Sequence, residues 1–117
     1  MAAKRILVVD DDPLVRESIE AMLSQDAHDL ELVDSGSDAL RLYQPGRFDV
    51  VLTDNRMPGM SGLELAAEIK ARSPSQAVIL FTGAPTSGPA SACDLILLKP
   101  FSGAQLRTAV ARFPAGS

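Results

Sequence analysis

The 117-residue chain has no tryptophan, one cysteine, one histidine, one tyrosine and four phenylalanines. A lone Cys93 allows no internal disulfide, which excludes a disulfide-framed secreted domain. It reads as a small buried hydrophobe. A lone histidine, His28, leaves neither a Ser-His-Asp triad nor a multi-histidine zinc site, and its polar connector reads as protein surface. Aromatic residues make up only 4% of the chain, too few to stack a flavin ring system. Long apolar runs are missing too. The longest candidates, residues 77–81 and 95–98, fall far short of the roughly 18 residues that span a bilayer. Lys4 and Arg5 precede a short apolar stretch, but Asp10, Asp11 and Asp12 end it too early for a signal peptide.

What is present points to one folded domain. At 46% hydrophobic and 22% charged residues, the chain can offset its ordering entropy by burial and is long enough for a real core. The formal charge of −4 hides an asymmetry. Residues 1–54 carry twelve acids against five bases, and residues 55–117 carry three against six. A mildly acidic chain binds nucleic acid poorly by itself.

Ile6-Leu7-Val8-Val9 is an apolar, β-branched run without alternation, the pattern of a strand buried on both faces of a parallel sheet. Asp12 caps a helix with Pro13 in its first turn, and Val15, Ile19, Met22 and Leu23 form its apolar stripe. Leu30, Leu32 and Val33 read as a second strand. A helix starting at Ser35 or Ser37 runs through Ala39, Leu40 and Tyr43 and stops at Pro45-Gly46. Residues 48–53 are the third strand, and residues 55–60 are a loop. Ser61-Gly62-Leu63-Glu64 is a capping box that opens a helix to about Arg72. Residues 77–81 and 95–98 read as the fourth and fifth buried strands. Ser102 to Gln105 is a second capping box, before a helix striped by Leu106, Ala109, Val110 and Phe113. Residues 83–94, with two prolines and two glycines, read as irregular. The order predicts a three-layer, doubly wound α/β sheet.

Ligands of such sheets bind at the carboxyl ends of the strands. Strand one ends in Asp10-Asp11-Asp12, strand three in Thr53-Asp54, strand four in Thr82-Gly83 and strand five in Lys99-Pro100. Crowded carboxylates repel and take up protons unless a cation neutralises them, and hard oxygen ligands suit Mg²⁺. Lys99 and Thr82 supply positive charge and a hydrogen-bond donor for phosphoryl oxygens, and Asp54 is placed as a carboxylate nucleophile. Each piece has a plainer reading: an N-cap run, a turn aspartate, a solvated lysine, a strand-end threonine. Four such positions at successive strand ends together favour phosphoryl-transfer chemistry.

The segments from Ile6 to Pro13, from Asp49 to Gly62, Phe81-Thr82-Gly83 and Leu98-Lys99-Pro100-Phe101 resemble the receiver domain of two-component response regulators. The resemblance covers essentially the whole chain. It implies a (βα)₅ flavodoxin-like fold of strand order 2-1-3-4-5, a single receiver domain over residues 1–117 with any output domain absent from this chain, and a cytoplasmic, bacterial setting. Asp54 is then the phosphoacceptor for a histidine kinase or histidine phosphotransfer protein. Asp10 and Asp11 hold Mg²⁺, Asp11 more directly, with Asp54 and the backbone carbonyl of Arg56. Lys99 pairs with the phosphoryl oxygens, Thr82 moves to hydrogen-bond them, and the Lys99-Pro100 peptide is cis. Gly59 and Gly62 shape the loop beside the site, while Arg56 and Ala84 sit where the family tunes phosphoryl lifetime. Such a domain is a signalling switch that catalyses its own phosphorylation and dephosphorylation. It controls an output domain or downstream protein and touches neither nucleic acid nor membrane directly.

Two departures stand out. The family's aromatic switch position is Ile96 here, which leaves an aliphatic shift in place of a ring flip. The short, irregular stretch 83–94 implies that the fourth helix is shortened or lost, and puts dimerisation through that face in question. Two other functions compete. One is a constitutive interaction module on a receiver fold. The other is a haloacid-dehalogenase-type phosphatase, which also places Asp-x-Asp after strand one. Such phosphatases want acidic ligands after strand four, and residues 82–92 contain no acid.

Overall fold

The apolar runs become a five-stranded, all-parallel sheet of β1 (Arg5–Val9), β2 (Asp29–Val33), β3 (Val50–Asp54), β4 (Ala77–Thr82) and β5 (Leu95–Leu98), in spatial order β2-β1-β3-β4-β5. Helices α1 (Pro13–Leu23), α2 (Gly36–Leu42), α3 (Gly62–Arg72) and α4 (Gly103–Ala111) connect and flank it. The computed structural model describes residues 3–83 and 93–114.

Successive strand residues point to opposite faces, and the two faces fill two cores. Ile6, Val8, Val50, Leu52, Ile79 and Phe81 pack beneath α1 and α4 through Ile19, Leu23, Leu106, Ala109 and Val110. Leu7, Val9, Val51 and Val78 pack on the other side against Ala39 and Tyr43 and against Leu65, Ala66 and Ile69 of α3. Burial on both faces is why β1, β3 and β4 read as unbroken apolar runs. The helix starts follow the expected chemistry. Asp12 accepts from the Leu14 N–H at 2.9 Å, and Ser35 caps α2. Reciprocal capping boxes close α3 (Ser61, Glu64) and α4 (Ser102, Gln105). Each such cap contributes about 1 kcal/mol.

The structure corrects three expectations. β5 is not buried: as the sheet edge it has one neighbour, and Ile96 and Leu98 are 36% and 52% exposed. The ladder of β3 begins at Val50, not 48, and runs through Asp54; β4 likewise includes Thr82. The third correction is His28. Ala27, at a φ of 55°, returns the chain to β2 after a single 3₁₀ turn (Ser24–Asp26), and the His28 side chain is only 8% exposed. Its Nδ1 accepts the Lys4 N–H at 2.9 Å, so the imidazole is folded in where a surface residue was expected. The expectation of a shortened fourth helix falls on residues 84–92, as does Ala84, and lies outside the described residues.

His28 makes stability depend on pH. Burial holds its pKa below 6.5 despite nearby Asp26, and protonation at Nδ1 forfeits the acceptor. The unfolded chain therefore takes up this proton first, and stability is lost as pH falls from 6.5 through the folded value. His28→Asn keeps an acceptor and cannot titrate. In urea denaturation between neutral pH and pH 5, wild type should lose stability relative to His28→Asn, by at most about 1.4 kcal/mol per pH unit. Parallel curves would refute a buried neutral imidazole.

Candidate functional site

Because all strands run parallel, their last residues meet on one rim. β1 and β3 are in register with Val9 opposite Thr53, so the next residues, Asp10 and Asp54, leave the sheet side by side. Thr82 pairs with Leu98, and the Lys99 N–H extends that ladder by donating to the Thr82 carbonyl at 2.8 Å. Asp10, Asp54, Thr82 and Lys99 are thus set by register and not by loop conformation. Asp11 follows at the exposed edge, and carboxylate oxygens of Asp10, Asp11 and Asp54 lie within 4.8 Å of one another.

The cluster is charged and mostly dry. Asp10 is 1% exposed and Asp54 7%. Asp54 Oδ1 accepts from the Asn55 N–H at 2.9 Å and faces the Lys99 ammonium at 3.3 Å. Asp10 Oδ1 accepts from the Asp12 N–H at 2.8 Å, while its Oδ2 is buried without a partner. Burial pushes the Asp10 carboxyl up to about 6, and Asp54 and Asp11 add to the rise against the opposing Asp12 N–H and Lys99. A buried, unpartnered oxygen on a residue of a three-carboxylate cluster fits a divalent cation such as Mg²⁺. Asp10, Asp11 and Asp54 are the side chains that can hold it, and Arg56 lies two residues beyond Asp54 in the exposed loop. The ammonium of Lys99 lies over the Phe81 ring at 5.3 Å, and an anion beside Asp54 would find it there. Thr82 is buried on the same rim. Ile96 pairs with Leu80, two residues back from Thr82. The Lys99-Pro100 peptide is cis, as expected.

Backbone fit around Asp54 is tight. A Cβ on Gly62 would sit 2.1 Å from the Asp54 carbonyl oxygen, so only glycine lets α3 start there. Gly59 takes a φ of +78° in the preceding turn, a conformation that favours glycine. Asp12, the second acid of Asp10-x-Asp12, spends its carboxylate on the α1 cap, which argues against a phosphatase-type carboxylate pair.

Sequence reasoning missed three residues. The Asn55 side chain accepts from the Leu63 N–H at 3.2 Å while its carbonyl accepts from Gly62 at 2.9 Å, closing the loop beside Asp54. Arg16 donates to the Asp10 carbonyl at 2.6 Å. Phe81 underlies Lys99 and meets Phe101 edge-on at 5.9 Å. None carries a spacing signal, since each contact joins a side chain to something set by tertiary structure.

The profile of the response regulator receiver domain matches residues 6–111. The response regulator MprA of Mycolicibacterium vanbaalenii is 35% identical over 103 residues, covering 84% of this chain and 45% of that protein. The chain thus spans about half the length of the curated relatives it matches. Among solved structures, the response regulator TrrA of Thermotoga maritima, in complex with Mg²⁺ and BeF, superposes with a TM-score of 0.86 at 36% identity, covering 93% of this chain and 97% of that one. TrrA in complex with the histidine kinase ThkA superposes with a TM-score of 0.84, at the same identity and coverages.

Two outcomes follow from the packing and charge. Gly62→Ala should destabilise the protein by about 3 kcal/mol, the upper range for forced overpacking, in chemical denaturation; a cost near zero would mean that the Asp54 backbone yields. Because the folded Asp10 carboxyl is raised, the folded protein binds more protons than the unfolded chain between pH 3.8 and about 6. Without a cation, that contribution to stability is lost as pH rises through the window. With divalent cations chelated, Asp10→Asn should therefore be the more stable protein at neutral pH, by up to about 3 kcal/mol, and Mg²⁺ should stabilise wild type but not the variant. A less stable Asp10→Asn under chelation would refute the crowded-charge account.

Proposed function

The chain belongs to the response regulator receiver domain family, and on that premise we propose that it is a phosphoacceptor switch in which Asp54 takes a phosphoryl group from the phosphohistidine of a histidine kinase or histidine phosphotransfer protein. The observation that carries this reading is the position of Asp54: its Oδ1 is 3.3 Å from the Lys99 ammonium, and it belongs to a carboxylate cluster spanning 4.8 Å.

An Asp54 carboxylate oxygen attacks phosphorus in line with the phosphorus–nitrogen bond. That bond breaks, its electron pair returns to the donor imidazole, which takes a proton from solvent, and an acyl phosphate is left on Asp54. Lys99 shifts from the carboxylate to the phosphoryl oxygens, and the Thr82 hydroxyl donates to the same group. Mg²⁺, when held by Asp10, Asp11, Asp54 and the Arg56 carbonyl, neutralises the carboxylates and the phosphoryl oxygens. Water later attacks the acyl phosphate, breaking its phosphorus–oxygen bond and returning the Asp54 carboxylate with inorganic phosphate, so that the domain catalyses its own phosphorylation and dephosphorylation. The phosphoryl group carries about −1.5 to −2 charges while Asp54 gives up its own carboxylate charge, so the rim gains roughly one negative charge. Drawing Lys99 and Thr82 onto it biases a two-state equilibrium, with Ile96 shifting as an aliphatic side chain instead of a ring. Residues 1–117 make up one receiver domain in the cytoplasm, and its output is carried by a separate domain or protein.

Incubation with acetyl phosphate and Mg²⁺ should add one phosphoryl group to the intact mass of wild type and none to Asp54→Asn. Lys99→Ala should accumulate the adduct about a hundredfold more slowly, the usual effect of losing one charge-stabilising group. Absence of an adduct, together with no spectral change on adding beryllofluoride, would refute the switch. Spectral changes confined to the immediate pocket would favour a constitutive interaction module. Steady phosphomonoester turnover surviving Asp54→Asn would favour a phosphatase.

A further inference from the structure

Every polar atom of Asp10 but one is engaged. Its N–H donates to the Val33 carbonyl at 3.2 Å, and its Oδ1 accepts from the Asp12 N–H at 2.8 Å. Its carbonyl accepts from the Arg16 guanidinium at 2.6 Å. The atom left over is Oδ2, buried and unpartnered, and it belongs to the carboxylate that joins Asp11 and Asp54 in the cluster. Arg16 is therefore the side chain that closes this arrangement. It comes from the first turn of α1, where its own N–H donates to the Asp12 carbonyl at 3.2 Å. Asp12 in turn caps that helix through the Leu14 N–H. The loop from β1 to α1 is thus tied twice to the helix that follows it, once by the cap and once by the guanidinium.

We propose that Arg16 is a positioning residue for the divalent-cation site, acting through the Asp10 carbonyl to hold the Asp10 carboxylate in its ligating orientation. The inference rests on the proposed role of Asp10, Asp11 and Asp54 as cation ligands. Arg16 is half-buried and lines a small polar pocket with Leu32, Val33, Asp34 and Asp38, near the β2 strand end where the Val33 carbonyl accepts the Asp10 N–H. A donor that fixes a ligand's backbone restricts the ligand's side chain as well, and loss of such an outer partner characteristically weakens metal binding by about 10- to 100-fold. Charge alone predicts the reverse. Removing a cation from an acidic cluster makes the cluster more attractive to a second cation. The two effects have opposite signs, so one measurement separates them.

The test is calorimetric titration of the full chain with Mg²⁺ at neutral pH, for wild type, Arg16→Ala and Arg16→Lys, with the thermal midpoint of each measured in chelator. Arg16→Ala should raise the Kd about tenfold or more, and Arg16→Lys, which keeps a donor and the charge, should recover most of that loss. If Arg16→Ala does not fold, Arg16→Met, which keeps the aliphatic stem but has no donor for the Asp10 carbonyl, takes its place, with a weakened Kd again expected. An unchanged or lower Kd beside a depressed midpoint means a structural role only and overturns the proposal. Wild type that takes up no Mg²⁺ overturns the cation-site reading and this proposal with it, whereas wild-type binding with an unaltered alanine variant overturns this proposal alone.

Discussion

Three carboxylates held within 4.8 Å of one another repel, and the rest of the structure is what keeps them there. In a flexible chain such groups would separate or protonate. Here two of them are locked at the ends of adjacent parallel strands, and burial first, with Asp54 and Asp11 adding to it, raises the Asp10 carboxyl to about 6. The stability that opposes this repulsion comes from elsewhere. β1, β3 and β4 are buried on both faces, and each fully buried Val, Ile or Leu contributes roughly 1.5–3 kcal/mol. A sheet sandwiched between two apolar cores can carry a strained, charged rim that a surface loop could not.

The same crowding explains how the site can act as a switch. Lys99 faces Asp54 at 3.3 Å and the Phe81 ring at 5.3 Å. It is thus shared between a full negative charge and a weak quadrupole. The side chain is a third exposed, free to follow new charge on the rim. Thr82 stands on the neighbouring strand end, its carbonyl already bound to the Lys99 N–H. In the proposed switch, charge arriving at Asp54 would act on two strand ends that already share a hydrogen bond, those of β4 and β5.

The fold was legible in the chain to an unusual degree, for a specific reason. Strands buried on both faces write themselves as unbroken apolar runs, and their alternation with capped helices points to a parallel, doubly wound sheet, while the strand order itself came from the family resemblance. The site was legible because strand ends in such a sheet converge, so Asp10, Asp54, Thr82 and Lys99 could be collected by position alone. β5 misled because an edge strand and a central strand can share one apolar pattern: Leu95-Ile96-Leu97-Leu98 has no alternation, yet every second side chain is exposed. His28 misled because a polar connector was taken for surface, when the turn at Ala27 folds the imidazole against the Lys4 backbone. Arg16 and Asn55 left no trace, since an arginine reaching a carbonyl six residues back looks like any charge on a helix.

The charge balance of the chain is set largely by its rim. The formal −4 is not spread over an acidic surface: Asp10, Asp11 and Asp54 gather at one point, and the remaining acids and bases nearly cancel. A divalent cation and the ammonium of Lys99 together bring as much positive charge to that point as the three carboxylates bring negative. Without a cation the rim repels itself; in the proposed switch a bound divalent cation would bring it close to neutral, and phosphorylation would restore a negative excess that Lys99 is placed to answer. Each step changes the local charge balance without rebuilding the sheet. Because β1, β3 and β4 are buried on both faces, the proposed switch would have to act through the side chains at the strand ends and not through the core.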